Sequence, residues 1–301
     1  MGGVFTKRIA IFLLVNLLVL TTIVIITSIL GVGYYITGYG IDYYNLLVFA
    51  AIIGFSGALV SLLLSKWIAK SVMNVKVITP DSFQNSTEQR LLNTVYRLSS
   101  QAGIAKMPEV GIYPSQEVNA FATGPSTNSA LIAVSQGLLN RLSQEEIEGV
   151  LAHEVAHVAN GDMVTMTLIQ GVVNTFVVFL SRALAYVVAN LVRKEMAGIV
   201  HFISVIVFQI CFSVLASLAV LAFSRHREFA ADLQGARIAG KRKMIQALTA
   251  LKNTLPTIDR DEQAAIQTFK ISGQKKSGLT RLFSTHPDLD ERIQRLVNEP
   301  I

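Results

Sequence analysis

Residues 151–157 read Leu151-Ala152-His153-Glu154-Val155-Ala156-His157, an H-E-x-x-H pattern. On an α-helix, His153 and His157 lie one turn apart on the same face. Two imidazoles so placed can both reach one small cation at a Zn–N distance of about 2 Å. Glu154 is turned about 100° around the axis. It is badly placed to be a third ligand beside them and well placed to hold a water. The pattern therefore predicts a metal-dependent hydrolase: the metal polarises and acidifies water, and the carboxylate takes its proton. Chance alone produces the pattern on the order of once per hundred chains of this size. The context argues against chance. Ser143-Gln144-Glu145-Glu146 reads as a capping box, and Asn160-Gly161 as a helix stop, so the motif has a helix with its own start and end.

A catalytic zinc takes three protein ligands and keeps a fourth position open. A metzincin continuation would need Gly at 160 and His at 163, where this chain has Asn160 and Met163. The other common source is a glutamate on a later helix. Ser224-Arg225-His226-Arg227-Glu228-Phe229-Ala230-Ala231-Asp232 offers one. Glu228 and Asp232 share a helix face at i and i+4. Glu228 is expected to ligate, and Asp232 to accept the Nδ1–H of a ligating histidine and so fix its tautomer. The plainer alternative is a solvated face with Glu228 and Asp232 paired to Arg225 and Arg227.

On these residues the chain resembles the HtpX-type membrane zinc metalloproteases, bacterial gluzincins related to the CAAX prenyl proteases. The resemblance rests on His153-Glu154-x-x-His157, Arg227-Glu228-Phe229-x-x-Asp232, Asn119-Ala120-Phe121-Ala122 and Thr285-His286-Pro287, and it covers nearly the whole chain. It implies one Zn²⁺ per chain on His153, His157 and Glu228, with Glu154 catalytic. It also implies that His286 steadies the oxyanion and that Asn119, Ala120 and Phe121 form an edge strand pairing with extended substrate. A role in membrane-protein quality control and stress response is implied too, with misfolded or damaged membrane proteins as substrates.

Composition agrees with a multi-pass membrane chain. Of 301 residues, 51% are hydrophobic and only 15% charged, against roughly 25% charged in soluble domains. The net charge of +6 reads first as cytoplasmic-side lysine and arginine. The basic residues form no stripe interleaved with aromatics, so nucleic acid is not an expected partner. The lone Cys211 excludes an internal disulfide and reads as packing. Apolar runs Ile9–Leu30, Leu46–Ser65, Met163–Ser181 and Met196–Ser224 are each long enough to cross a bilayer, which takes about 20 residues. Lys7-Arg8 before the first run and Lys66, Lys70 and Lys76 after the second place both ends of that hairpin in the cytoplasm. Arg193-Lys194 between the last two runs fits an outer loop less well. The two histidines precede that region, Glu228 follows it, and all three must meet one metal, so it crosses twice or not at all; two crossings are expected, a buried helical hairpin being the alternative.

The expected architecture is mainly α with a small β-sheet: four transmembrane helices plus a cytoplasmic gluzincin-type zinc protease domain in the inner membrane. Residues 1–70 form the first membrane hairpin and 163–224 the second; 71–162 and 225–301 form the two halves of the protease domain. Ser86-x-x-Gln89 is read as a helix cap, Glu109–Tyr113 and Ala130–Val134 as strands, and 272–278 as a loop. Two competing readings are an intramembrane-cleaving protease and a membrane scaffold with a structural zinc. The acidic residues flanking the motif disfavour the first. The single cysteine and the glutamate beside His153 disfavour the second. Oligomeric state leaves no mark on the sequence.

Overall fold

The structure is a computed structural model and describes residues 2–38, 40–266 and 287–300. It is mostly helical with a small sheet, and the chain divides into two compact units, Met1–Leu63 with Thr165–Ala222 and Leu64–Val164 with Phe223–Ile301.

The first unit holds the apolar helices. Among the described residues four helices are long and apolar enough to cross a membrane: α1 (Gly2–Leu30), α2 (Tyr43–Met73), α6 (Asp162–Ala189) and α7 (Lys194–Ala239). A two-strand hairpin, β1 (Ile36–Thr37) and β2 (Gly40–Ile41), lies between the first two. Within this unit α2 and α6 approach closely through small residues. A Cβ on Gly54 would lie 2.6 Å from the Thr175 nitrogen, and one on Gly171 would strike the Phe55 ring. Small residues at a crossing let two backbones pack without side chains between them. Arg182 extends α6 rather than ending it, its guanidinium 5.3 Å from the centre of the Phe49 ring. Cys211 is exposed rather than packed, because the apolar stretch of α7 that carries it has no buried residues.

The second unit is built on a four-stranded sheet: β3 (Lys76–Ile78), β4 (Glu109–Tyr113), β5 (Ala120–Ser126) and β6 (Ser129–Ser135), in the order β3-β4-β6-β5. β4 and β6 are parallel; the outer pairs are antiparallel. Helix α3 (Ser86–Gln101) begins one residue earlier than the sequence suggests. Asn85 is the cap, its side-chain oxygen accepting from the Glu88 N–H, and the Glu88 carboxylate in turn accepts from the Gln84 N–H. A short α4 (Gln136–Arg141) leads to α5 (Gln144–Ala159), which carries the H-E-x-x-H residues. Among the described residues, helices α8 (Lys241–Ile266) and α9 (Leu289–Asn298) follow in this unit. The loop expected at 272–278 lies outside the described residues.

One face of the sheet and α3, α5 and α8 share the main core, with Leu98, Ile132, Leu151, Val155 and Ala247 fully or almost fully buried. The other face, with Tyr113, Leu131 and Ala133, is covered by Ala69, Met73 and Phe121. Helix α5 is therefore buried nearly all round. Gly149 is needed there: a Cβ would lie 2.5 Å from the Lys243 carbonyl oxygen and 2.7 Å from the Ala247 Cβ, so α5 and α8 touch at backbone distance.

Candidate metal centre

The ends of α5 are set by local chemistry. The Ser143 hydroxyl accepts from the Glu146 N–H, and the Glu146 carboxylate accepts from the Ser143 N–H at 2.7 Å. At the other end Gly161 takes φ +66°, a left-handed turn that costs glycine little. That turn sets Asp162 at the start of α6 beside the last turn of α5. The crossing of α7 over α5 is equally close, since a Cβ on Gly235 would be 3.2 Å from the His153 nitrogen.

These constraints bring His153, His157 and Glu228 together. Their ligand atoms all lie within 4.8 Å of one another. The two Nε2 atoms are 3.1 Å apart, Glu228 Oε1 is 3.3 Å from His157 Nε2, and Oε2 is 3.5 Å from His153 Nε2. Ligand bonds of about 2.0–2.1 Å in tetrahedral array put donor atoms roughly 3.3–3.4 Å apart. The trio thus fits one small cation.

Both histidines are oriented from behind. His153 Nδ1 is 3.0 Å from Asp232 Oδ1, and His157 Nδ1 is 2.6 Å from Asp162 Oδ2. Each Nδ1–H donates to a carboxylate, which leaves each Nε2 lone pair aimed at the common point. Burial alone would lower the pKa of both imidazoles, yet both are raised. Asp232 and Glu228 hold His153 up, and Asp162 and Glu228 hold His157 up to about 9. Burial works the other way on Asp232, but Arg292 and His153 keep its carboxyl below the usual value. With both imidazoles neutral, as ligation requires, Glu154, Asp162, Glu228 and Asp232 formally bring four negative charges, and Arg227 and Arg292 two positive ones. The excess of two is what a divalent ion would neutralise.

Two of these groups escape sequence reading. Asp162 marks only the start of an apolar run there, yet it faces His157 and also meets Arg227, whose Nη1 donates to the Asp162 carbonyl at 2.8 Å. Its spacing of five from His157, just past a helix stop, is the one hint. Arg292 has no sequence signal at all. It arrives on α9, its Nε and Nη2 donating to the two Asp232 oxygens at 2.7 and 2.6 Å.

A cavity of about 600 Å³ opens beside the trio. His153, Glu154 and Glu228 lie on its wall with Asn119 and Ala120, and Val150, Ala247 and Leu251 give it an apolar side. Strand β5 is one of the two edge strands of the sheet, the other being β3. The Asn119 carbonyl accepts from the Ser135 N–H at 2.9 Å. In the antiparallel register Phe121 and Thr123 then also face β6, and Ala120 and Ala122 turn their N–H and C=O to the open edge. The Phe121 ring points elsewhere, packing on Tyr113 with ring centres 5.5 Å apart. His226 is exposed and not part of the trio. His286 lies outside the described residues; its neighbour Pro287 lines the cavity.

The model of peptidase family M48 matches residues 85–299. A protease HtpX homolog of Bacillus velezensis is 58% identical over 295 residues, covering 96% of this chain and 98% of that one. The homolog of Bacillus subtilis is 58% identical over 296 residues with the same coverage. That of Thiobacillus denitrificans is 51% identical over 292, again covering 96% and 98%. Among solved structures, S. mikatae Ste24p superposes with a TM-score of 0.56 at 19% identity. The match covers 84% of this chain and 58% of that one, so this chain spans little more than half of Ste24p.

Proposed function

Since the chain belongs to peptidase family M48 as an HtpX-type membrane metalloprotease, we propose that it is a zinc endopeptidase cutting unfolded or damaged membrane proteins on the cytoplasmic side. One observation carries the reading: three convergent donors, a neighbouring glutamate and an open strand edge meet at one cavity. His153, His157 and Glu228 would hold Zn²⁺, whose donor set of two imidazoles and a carboxylate suits that ion. When bound, zinc supplies Lewis-acid polarisation of the scissile carbonyl and acidifies water.

The chain's own residues supply the rest. Glu154, on the cavity wall, takes the proton of the attacking water and returns it to the leaving amine. Asp232 and Asp162 keep the imidazoles in the right tautomer. An extended substrate adds to β5 through the outward N–H and C=O of Ala120 and Ala122, reading backbone more than side chain. Asn119 lines the approach, and the Phe121 ring supports the strand from its other face. His286, next in sequence to Pro287 on the cavity wall, is assigned the oxyanion by its resemblance to the family. An edge strand pairs only with extended chain, which selects unfolded segments. Lys7 and Arg8 in the first turns of α1, Lys66 and Lys70 in the last turns of α2, and Lys76 on β3 just beyond it support a cytoplasmic protease unit.

The test uses the purified full chain in detergent with a fluorescent unfolded protein as substrate. Cleavage is expected with zinc, lost with chelator and restored by added zinc. Cleavage that persists after complete metal removal would overturn the proposal.

A further inference from the structure

Arg292 is only 6% exposed, and each of its three guanidinium nitrogens reaches a carboxylate oxygen. Nε is 2.7 Å from Asp232 Oδ2, Nη2 is 2.6 Å from Asp232 Oδ1, and Nη1 is 3.2 Å from Glu228 Oε2. Asp232 Oδ1 is also the atom facing His153 Nδ1. The guanidinium thus grips the carboxylate that orients one metal-facing imidazole and one oxygen of the metal-facing glutamate.

Anchoring α9 does not require this. Leu296, with Leu289 and Ile293, already packs on Ala236, Met244 and Leu248, and Lys252 pairs with Asp290 across the surface. A buried ion pair seldom stabilises a fold more than apolar side chains of the same volume would. What is specific to arginine is the planar fork, which fits a carboxylate with two parallel bonds and leaves a third nitrogen for another acceptor.

We propose that Arg292 is a positioning residue of the metal centre, and that the C-terminal helix is therefore part of that centre. Through Asp232 it fixes the His153 ring so that Nε2 faces the ion. By holding Glu228 Oε2 it leaves Oε1, the oxygen nearer His157, as the single carboxylate atom offered to the metal. A glutamate restricted to one oxygen leaves coordination free for water and substrate, as a catalytic site requires. This inference rests on the metal reading above.

The experiment titrates zinc into the metal-stripped full chain in detergent against a chelating indicator, with folding followed by thermal unfolding. Arg292→Met is expected to weaken zinc binding about 10–100-fold, the usual cost of losing a group that orients a ligand. Arg292→Lys keeps the charge but not the fork and should recover only part of the loss. Adding Asp232→Asn to Arg292→Met should cost little more than either alone, because the two act as one unit. Leu296→Ala, on the same helix, should lower the unfolding temperature and leave zinc affinity unchanged. A folded Arg292→Met that binds zinc as tightly as the parent, or that weakens only as far as Leu296→Ala, overturns the proposal. Where Arg292→Met does not fold, Arg292→Lys is judged by the same comparison. A parent chain that takes up no zinc instead removes the metal reading itself, and this inference with it.

Discussion

Replacing Glu154 with glutamine removes a proton acceptor and leaves the shape of the cavity nearly unchanged. Glu154→Gln is expected to bind zinc like the parent and to lose about 10²–10⁴-fold in cleavage rate, the contribution of a placed general base. Metal content and rate measured on the same preparation check this; lost zinc in a folded variant would make Glu154 a ligand. The carboxylates around it should separate by distance from the ion. Glu228→Ala, which deletes a donor, should nearly abolish zinc uptake. Asp162→Asn and Asp232→Asn, each behind one imidazole at 2.6 and 3.0 Å, should weaken it about 10–100-fold. Competition against a chelator of known affinity gives the order, and equal losses for all three would contradict the arrangement.

At the scale of elements, β5 offers a sharp contrast between neighbouring residues. Ala122 turns its N–H outward and Phe121 turns its N–H toward β6. Proline at 122 removes only an edge donor, which edge strands tolerate. Ala122→Pro should therefore fold and raise KM about 2–10-fold, the worth of one backbone hydrogen bond. Phe121→Pro breaks the ladder and should fail to fold or unfold at much lower temperature. An unchanged KM in folded Ala122→Pro would remove the edge from substrate binding. The helices around the site are tied by Glu148 on α5, which accepts from Arg97 of α3 at 2.8 Å and Lys243 of α8 at 2.6 Å. Burial tends to raise its pKa, but these two partners hold it below the usual value. The pairing therefore stabilises the fold above the ordinary glutamate value of about 4.3 and is lost as pH falls below it. Glu148→Gln should cost about 1 kcal/mol at pH 7, and the two unfolding temperatures should converge as pH falls through the lowered folded-state value.

For the whole molecule, the proposed function predicts a restricted choice of substrate. Model membrane proteins with labelled cytoplasmic loops, outer loops and spans should be cut mainly in unfolded cytoplasmic loops. Cuts mainly in outer loops would reverse the proposed orientation, and cuts mainly within spans would favour intramembrane cleavage. Helix α5, which carries His153 and Glu154, is none of the four membrane-length helices among the described residues, and it packs in one core with the sheet, α3, α8 and the C-terminal end of α7.

The sequence by itself determined the elements whose signals are local. Apolar length marked the four long helices, the Ser143–Glu146 box and Gly161 bounded α5, and one-turn spacing put His153 and His157 on one face. The i, i+4 rule placed Glu228 and Asp232 on another. A small error at Asn85 arose because adjacent Asn and Ser both make good caps, and one residue's difference lies below what spacing resolves. Only the tertiary structure decided which carboxylate serves which histidine, that Asp162 faces His157, that Ala120 and Ala122 hold the open edge, and that Arg292 joins the centre. Those contacts link residues up to 139 positions apart. No local periodicity encodes them; they follow from backbone-distance crossings at Gly149 and Gly235 and from the register of β5 on β6.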